Sequence, residues 1–136
     1  MSARSKARKA ALDFLYESDI RKGAALEILQ LRQNELDLPV REFTKDLVSG
    51  VESHRRKIDE LIATYSQGWD MDRMPVVDRN ILRLAIYELL WSSEVPVPVV
   101  IDEAVQLAQT LSTDDSSKYI NGVLSKIVEI KADLAL

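Results

Sequence analysis

Between residues 77 and 90 the apolar side chains Val77, Ile81, Leu82, Leu84, Ala85, Ile86, Leu89 and Leu90 cover most of the circumference of a helical wheel. A helix that is apolar on nearly every side is stable only when other elements surround it. The run falls short of the roughly 18 apolar residues that a membrane span requires. The rest of the chain therefore has to supply the enclosing elements, and the spacing of its apolar residues predicts that these too are helices.

Ala7, Ala10, Ala11, Phe14 and Leu15 recur at helical spacing behind Ser2, which suits an N-cap, and predict a first helix over about residues 3–20 ended by Gly23. A second follows through Ala25, Leu26, Ile28, Leu29, Leu31 and Leu36 until the Leu38-Pro39 step turns the backbone away from helical geometry. Val40, Phe43, Leu47, Val51, His54, Ile58 and Tyr65 sustain a third, which Gly50 weakens without breaking. Gly68-Trp69-Asp70 and Met74-Pro75 predict a short helical turn before the central helix begins near Pro75. Val95-Pro96-Val97-Pro98 reads as an extended connector, because two prolines so close disfavour both a helix interior and a central strand. Two more helices are expected, over about Val99–Leu111 and Ser116–Leu134, separated by the polar turn Ser112-Thr113-Asp114-Asp115. No segment alternates apolar and polar residues as a half-buried strand would, so the fold class is all-α, with about seven helices. Punctuation at 66–75 divides a three-helix half from the remainder, with no linker long enough to separate domains; residues 1–136 read as one domain.

The chemistry that is missing narrows the function. Without cysteine there is neither a disulfide framework nor a thiolate metal site or nucleophile. His54 is the single histidine and reads as a structural residue, since no second histidine or cysteine completes a metal site. The four glycines are scattered, so no phosphate loop, dinucleotide fingerprint or nucleophile elbow exists. Asp102-Glu103 and Asp114-Asp115 are adjacent pairs that point apart on a helix or cap its start. The expectation is a non-enzyme with neither cofactor nor metal. The start of the chain has no uninterrupted apolar core for a signal peptide, and a soluble cytoplasmic protein is expected.

Charge is distributed unevenly. Residues 1–22 carry +3 while the whole chain carries −4, leaving −7 to the rest, and Arg4, Lys6, Arg8 and Lys9 fall within the first ten residues with no acid among them. A basic end on an acidic body suits local phosphate binding, driven by counterion release, although a solvated terminus gives the same pattern. On the wheel Lys9 and Tyr16 lie within about 20° of each other, opposite Ala7, Ala11 and Leu15. A cation beside an aromatic ring is how proteins hold single-stranded RNA; alternatively Leu12, Tyr16 and Ile20 form a second apolar stripe against another helix. Lys118-Tyr119 repeats the pair in the first turn of the last helix, near backbone N–H groups that attract anions. The alternative there is a cap by Asp114 or Ser116 with Tyr119 in the core.

Three blocks, taken together and in order, resemble a known family. They are Asp78-Arg79-Asn80-Ile81-Leu82-Arg83-Leu84-Ala85-Ile86-Tyr87-Glu88-Leu89, then Val95-Pro96 with Val100-Ile101-Asp102-Glu103-Ala104-Val105-Gln106-Leu107-Ala108, then Asp115-Ser116-Ser117-Lys118-Tyr119-Ile120-Asn121-Gly122-Val123-Leu124. With the basic start and alanine-rich first helix, they are similar to the NusB transcription antitermination family over nearly the whole chain. That resemblance implies two small packed helical bundles. It also implies binding of the boxA element of nascent ribosomal RNA together with NusE, a small-subunit ribosomal protein, in a complex that helps RNA polymerase resist termination. It places the family's arginine-rich segment on Arg4, Lys6, Arg8 and Lys9, and its second RNA-contacting region on Asp115, Lys118 and Tyr119. Ser5 and Ala7 dilute the arm, and many relatives carry Phe at the position of Tyr119. Asp78 and Glu88 are the partner-contact candidates. Two other readings remain, an RNA-targeting module like that of ribosomal RNA cytosine methyltransferases and a structural helical module whose role is homodimerisation.

Overall fold

The computed structural model describes residues 2–36, 39–66 and 68–134. Its α-helices are α1 (Ala3–Arg21), α2 (Ala25–Leu36), α3 (Glu42–Tyr65), α4 (Val76–Trp91), α5 (Val97–Leu111) and α6 (Asp114–Ile130), with 3₁₀ turns at Met71–Arg73 and Lys131–Asp133. There is no strand among the described residues.

Helix α4 is the centre, as its all-round apolar character requires. It packs against α1, α3, α5 and α6, and its buried residues run almost unbroken from Asn80 to Leu90. Two apolar clusters meet along it. One joins Ala11 and Leu15 of α1, Ala25 and Leu29 of α2, and Leu47, Val48 and Val51 of α3 to Leu84. The larger one combines Ile58, Leu61 and Ile62 at the far end of α3 with α4, α5 and α6, and takes in Leu12 from α1. These are the two small bundles, sharing α1, α3 and α4 as their seam. Each fully buried Leu or Ile contributes about 1.5–3 kcal/mol relative to exposure, so the clusters dominate stability.

A charged knot ties the seam. Asp19 of α1 accepts hydrogen bonds from Arg83 Nη1 at 2.7 Å, Asn80 Nδ2 at 2.9 Å, Arg55 Nη2 at 3.0 Å and Arg79 Nε at 3.2 Å. Burial works to raise its pKa, but the charges of Arg83 and Arg79 and the hydrogen bonds from Asn80 and Arg83 outweigh it and hold the carboxyl below its ordinary value.

Several boundaries differ from expectation for identifiable reasons. Lys22, not Gly23, takes the left-handed conformation that closes α1, at φ 56°. The Ser18 hydroxyl caps the turn by donating to the Gly23 carbonyl. Helix α3 begins at Glu42 rather than Val40, and Leu38 of the preceding step lies outside the described residues. Helix α5 starts at Val97, so Pro98 lies in its first turn, where a missing N–H costs nothing and the fixed φ is already helical. The extended connector is correspondingly shorter. Helix α6 starts at Asp114 and ends at Ile130, its last expected residues forming the 3₁₀ turn.

Candidate nucleic-acid interface

The basic start is a helix. Ser2 accepts from the Ser5 N–H at 3.0 Å and so caps α1, fixing the direction in which each cation points. Arg4 and Lys6 are exposed, and Lys9 is partly exposed with its ammonium 2.8 Å from Asp13 one turn on. Tyr16 is 41% exposed and Ile20 56%, while Leu12 is buried. The outer face with Lys9 and Tyr16 therefore exists, and the stripe of Leu12, Tyr16 and Ile20 packed on another helix does not.

Arg8 departs from the expected arm. It is 2% exposed and makes a two-pronged contact with Glu88 of α4, Nε to Oε2 at 2.8 Å and Nη2 to Oε1 at 2.9 Å. Glu103 lies 3.8 Å from its remaining nitrogen. Burial works to lower the Arg8 pKa, but Glu88 more than offsets this and the guanidinium is held above its ordinary value. An arginine so enclosed presents no donor at the surface for phosphate. Glu88, itself 2% exposed, is equally closed to a partner. Both assignments are corrected: the two residues complete one another inside the protein and anchor α1 to α4.

Asp78 is corrected as well. It is fully buried in the first turn of α4, where the helix N-terminus favours a negative charge, and accepts from Ser116 Oγ at 2.6 Å. It thus sets the position of the α6 N-terminus instead of meeting a partner. Its second oxygen has no hydrogen-bond partner among the described residues. The cap of α6 is Thr113, whose hydroxyl accepts from the Ser116 N–H at 3.0 Å, in place of Asp114 or Ser116.

That capped end presents Asp115 and Lys118 to solvent. Tyr119 is half-buried, its ring meeting Trp69 edge-on with centroids 4.6 Å apart. Burial pushes the phenol above its ordinary pKa, only partly relieved by Ser66, and no well-formed hydrogen bond reaches its hydroxyl among the described residues. Trp69 escaped the sequence reading because it stood out only as turn punctuation. A groove of about 310 Å³ lined by Ser5, Lys9, Glu103, Gln106, Thr110 and Leu111 runs from the arm to the end of α5, just before the α6 turn. Of the candidate cations only Lys9 lines this groove; Tyr16 stands exposed two turns further along α1, and Lys118 with Tyr119 lies at the start of α6.

A sequence model of the NusB family matches residues 5–129. The chain belongs to the NusB family. It is 48% identical over 134 residues to the transcription antitermination protein NusB of Thermobifida fusca, covering 98% of this chain and 94% of that protein. To the protein of the same name from Acidothermus cellulolyticus it is 55% identical over 127 residues, covering 93% and 88%. Among solved structures it superposes on T. maritima NusB with a TM-score of 0.82 at 32% identity, covering 98% and 99%. On a chain from the complex of antitermination factors NusB and NusE with double-stranded RNA it superposes with a TM-score of 0.81 at 29% identity, covering 93% and 96%. Like these NusB structures, the fold is all-helical.

Proposed function

We propose that this protein is a transcription antitermination factor that binds boxA RNA of nascent ribosomal transcripts together with NusE and so modifies RNA polymerase. Residues 1–136 act as one RNA-binding domain. What carries the reading is the pairing of a solvent-facing cation with a ring both on α1, Lys9 with Tyr16, and at the start of α6, Lys118 with Tyr119, in a chain of this family. Arg4, Lys6 and Lys9 hold phosphates, and Lys118 adds charge at a helix N-terminus that attracts anions. Tyr16 and Tyr119 offer ring faces to bases, and Asp115 is placed to accept from base or sugar donors. Arg8, Glu88 and Asp78 keep these groups in position from within.

With Asp78 and Glu88 inside, the protein partner needs another surface. Ile20 continues the exposed apolar strip of Tyr16 by one helical turn, and NusE docks there, so that Tyr16 sits where RNA and partner meet. The protein is non-catalytic and works in the cytoplasm, a reading supported by its family and by the absence of any catalytic motif from its sequence. No helix among the described residues is long and apolar enough to cross a membrane.

A fluorescence titration of labelled boxA RNA, with and without NusE, tests the proposal. Saturable binding that NusE tightens, and that scrambled RNA loses, is the expected result. Equal affinity for boxA and scrambled RNA in both conditions would leave a generic RNA-binding or homodimerising module instead.

A further inference from the structure

A second groove lies between α3 and the C-terminal end of α4, away from the α6 turn, and the RNA reading does not use it. It encloses about 470 Å³, within the range of small-ligand sites. Its wall is an aromatic stack: His54 lies on Trp91 with ring centroids 4.1 Å apart and planes at 12°, and Tyr87 continues the series at 6.0 Å from His54. The stack is built at a cost to the helix beneath it. A Cβ on Gly50 would stand 2.0 Å from the Tyr87 ring, so the glycine that weakens α3 is what lets the ring lie across it.

The charge around these rings is one-sided. Asp46 and Glu94 line the groove, both exposed, together with Ser49 and Ser53, and no lysine or arginine is in the lining. The Tyr87 phenol reports the resulting field: burial first, then Asp46 and Glu94, push its pKa above the ordinary value. Phosphate would be repelled here. A cation with a flat face would be held twice, by the carboxylates and by the ring quadrupoles. The chain itself supplies an example at the rim, where the Arg4 guanidinium lies 5.3 Å over the Phe43 ring and 3.7 Å from Glu94.

We propose that this groove receives an arginine side chain from a basic segment of a protein partner, held between the His54, Tyr87 and Trp91 rings and the Asp46 and Glu94 carboxylates. The site meets the RNA-binding reading only at Arg4, which pairs with Glu94 at its rim, and the aromatic wall and Asp46 stand without it. Arginine suits it better than lysine, because the planar guanidinium stacks and forks where a hydrated ammonium does neither.

The test is a titration with acetylated, amidated hexa-arginine, following the Trp91 indole N–H resonance, which is assigned by its loss in Trp91→Phe. The expected result is a saturable shift of that resonance, severalfold weaker with hexa-lysine. Asp46→Asn with Glu94→Gln, at exposed positions and with unchanged folding checked by circular dichroism, should raise the Kd about tenfold. The control pair Glu129→Gln with Asp133→Asn should leave it unchanged. The proposal is overturned if hexa-arginine leaves Trp91 unmoved, or if the Asp46/Glu94 variant binds as tightly as the parent. It is equally overturned if the Trp91 shift follows boxA RNA or protein concentration alone, which would assign the groove to RNA or to a second copy.

Discussion

Replacing Arg8 by Ala separates an internal anchor from a phosphate contact. In the structure both ends of the Arg8–Glu88 pair are within a few per cent of complete burial, and both hydrogen bonds are short. Removing one partner of such a pair costs about 3–5 kcal/mol, because the remaining charge keeps its desolvation penalty and loses its compensation. The two single variants should differ. Glu88→Ala leaves Arg8 with Glu103 at 3.8 Å, whereas Arg8→Ala leaves Glu88 without another ion pair among the described residues. Arg8→Ala should therefore reach the upper part of that range and Glu88→Ala the lower. The double variant Arg8→Met with Glu88→Leu, which removes both charges and keeps volume, should fall within about 2 kcal/mol of the parent or exceed it. Urea unfolding followed by far-ultraviolet circular dichroism at neutral pH measures all three; with a slope of about 2 kcal/mol per molar, the Arg8→Ala midpoint should drop by roughly 2 M. A loss under about 1 kcal/mol for Arg8→Ala, with a flatter salt dependence of RNA binding, would show that Arg8 is an exposed member of the arm and that the anchoring argument is wrong.

Tyr119→Ala should lower both RNA affinity, by about 1–3 kcal/mol, and unfolding stability, by about 2–3 kcal/mol, since the ring is half-buried against Trp69. Tyr119→Phe should keep RNA affinity and leave stability equal or slightly higher, because it deletes a buried hydroxyl lacking a good hydrogen bond among the described residues; denaturant unfolding and RNA titration of the same preparations decide. Gly50→Ala should destabilise by about 1–3 kcal/mol despite the better helix propensity of alanine, since the new methyl strikes the Tyr87 ring, and adding Tyr87→Ala should cost less than the two single losses combined. The Asp19 pKa is depressed in the folded protein, so its stabilisation is complete above the unfolded value near 3.8 and is lost as pH falls through the lower folded value. Asp19→Asn should accordingly lose stability at pH 7, by roughly 2 kcal/mol, and show a shallower fall in stability below pH 4.

Periodicity made most of the fold legible, because each helix buries a face whose spacing is local. The enclosing role of α4 followed from Val77 to Leu90 alone, while the α1 wheel put Lys9 and Tyr16 on one face and left open whether that face packs on another helix. What stayed hidden was decided by residues far apart in the chain. Arg8 occupies the same stripe as Ala11, Leu12 and Leu15, a local sign that it points inward, but the carboxylate that makes this tolerable is 80 positions away. Asp78 looked available until Ser116, 38 positions on, was seen to donate to it. Short-range choices were also ambiguous: Thr113, Asp114 and Ser116 are all good capping residues, and which one caps α6 depends on where the turn places the first helical residue. Trp69 and Tyr119 meet edge-on from positions 50 residues apart, which no local pattern reveals.

The central claim, that RNA is held by the exposed cations of α1 and not by the whole basic segment, is tested most directly by the salt dependence of boxA affinity in Arg4→Ala/Lys6→Ala/Lys9→Ala. These side chains reach solvent in the structure while Arg8 does not. Each phosphate contact to a single strand contributes about 0.7 to the slope of log affinity against log salt, so the triple variant should lose about 2 slope units while unfolding at nearly the parent's urea midpoint. An unchanged slope at unchanged stability would contradict the account and move the electrostatic contact elsewhere on the molecule.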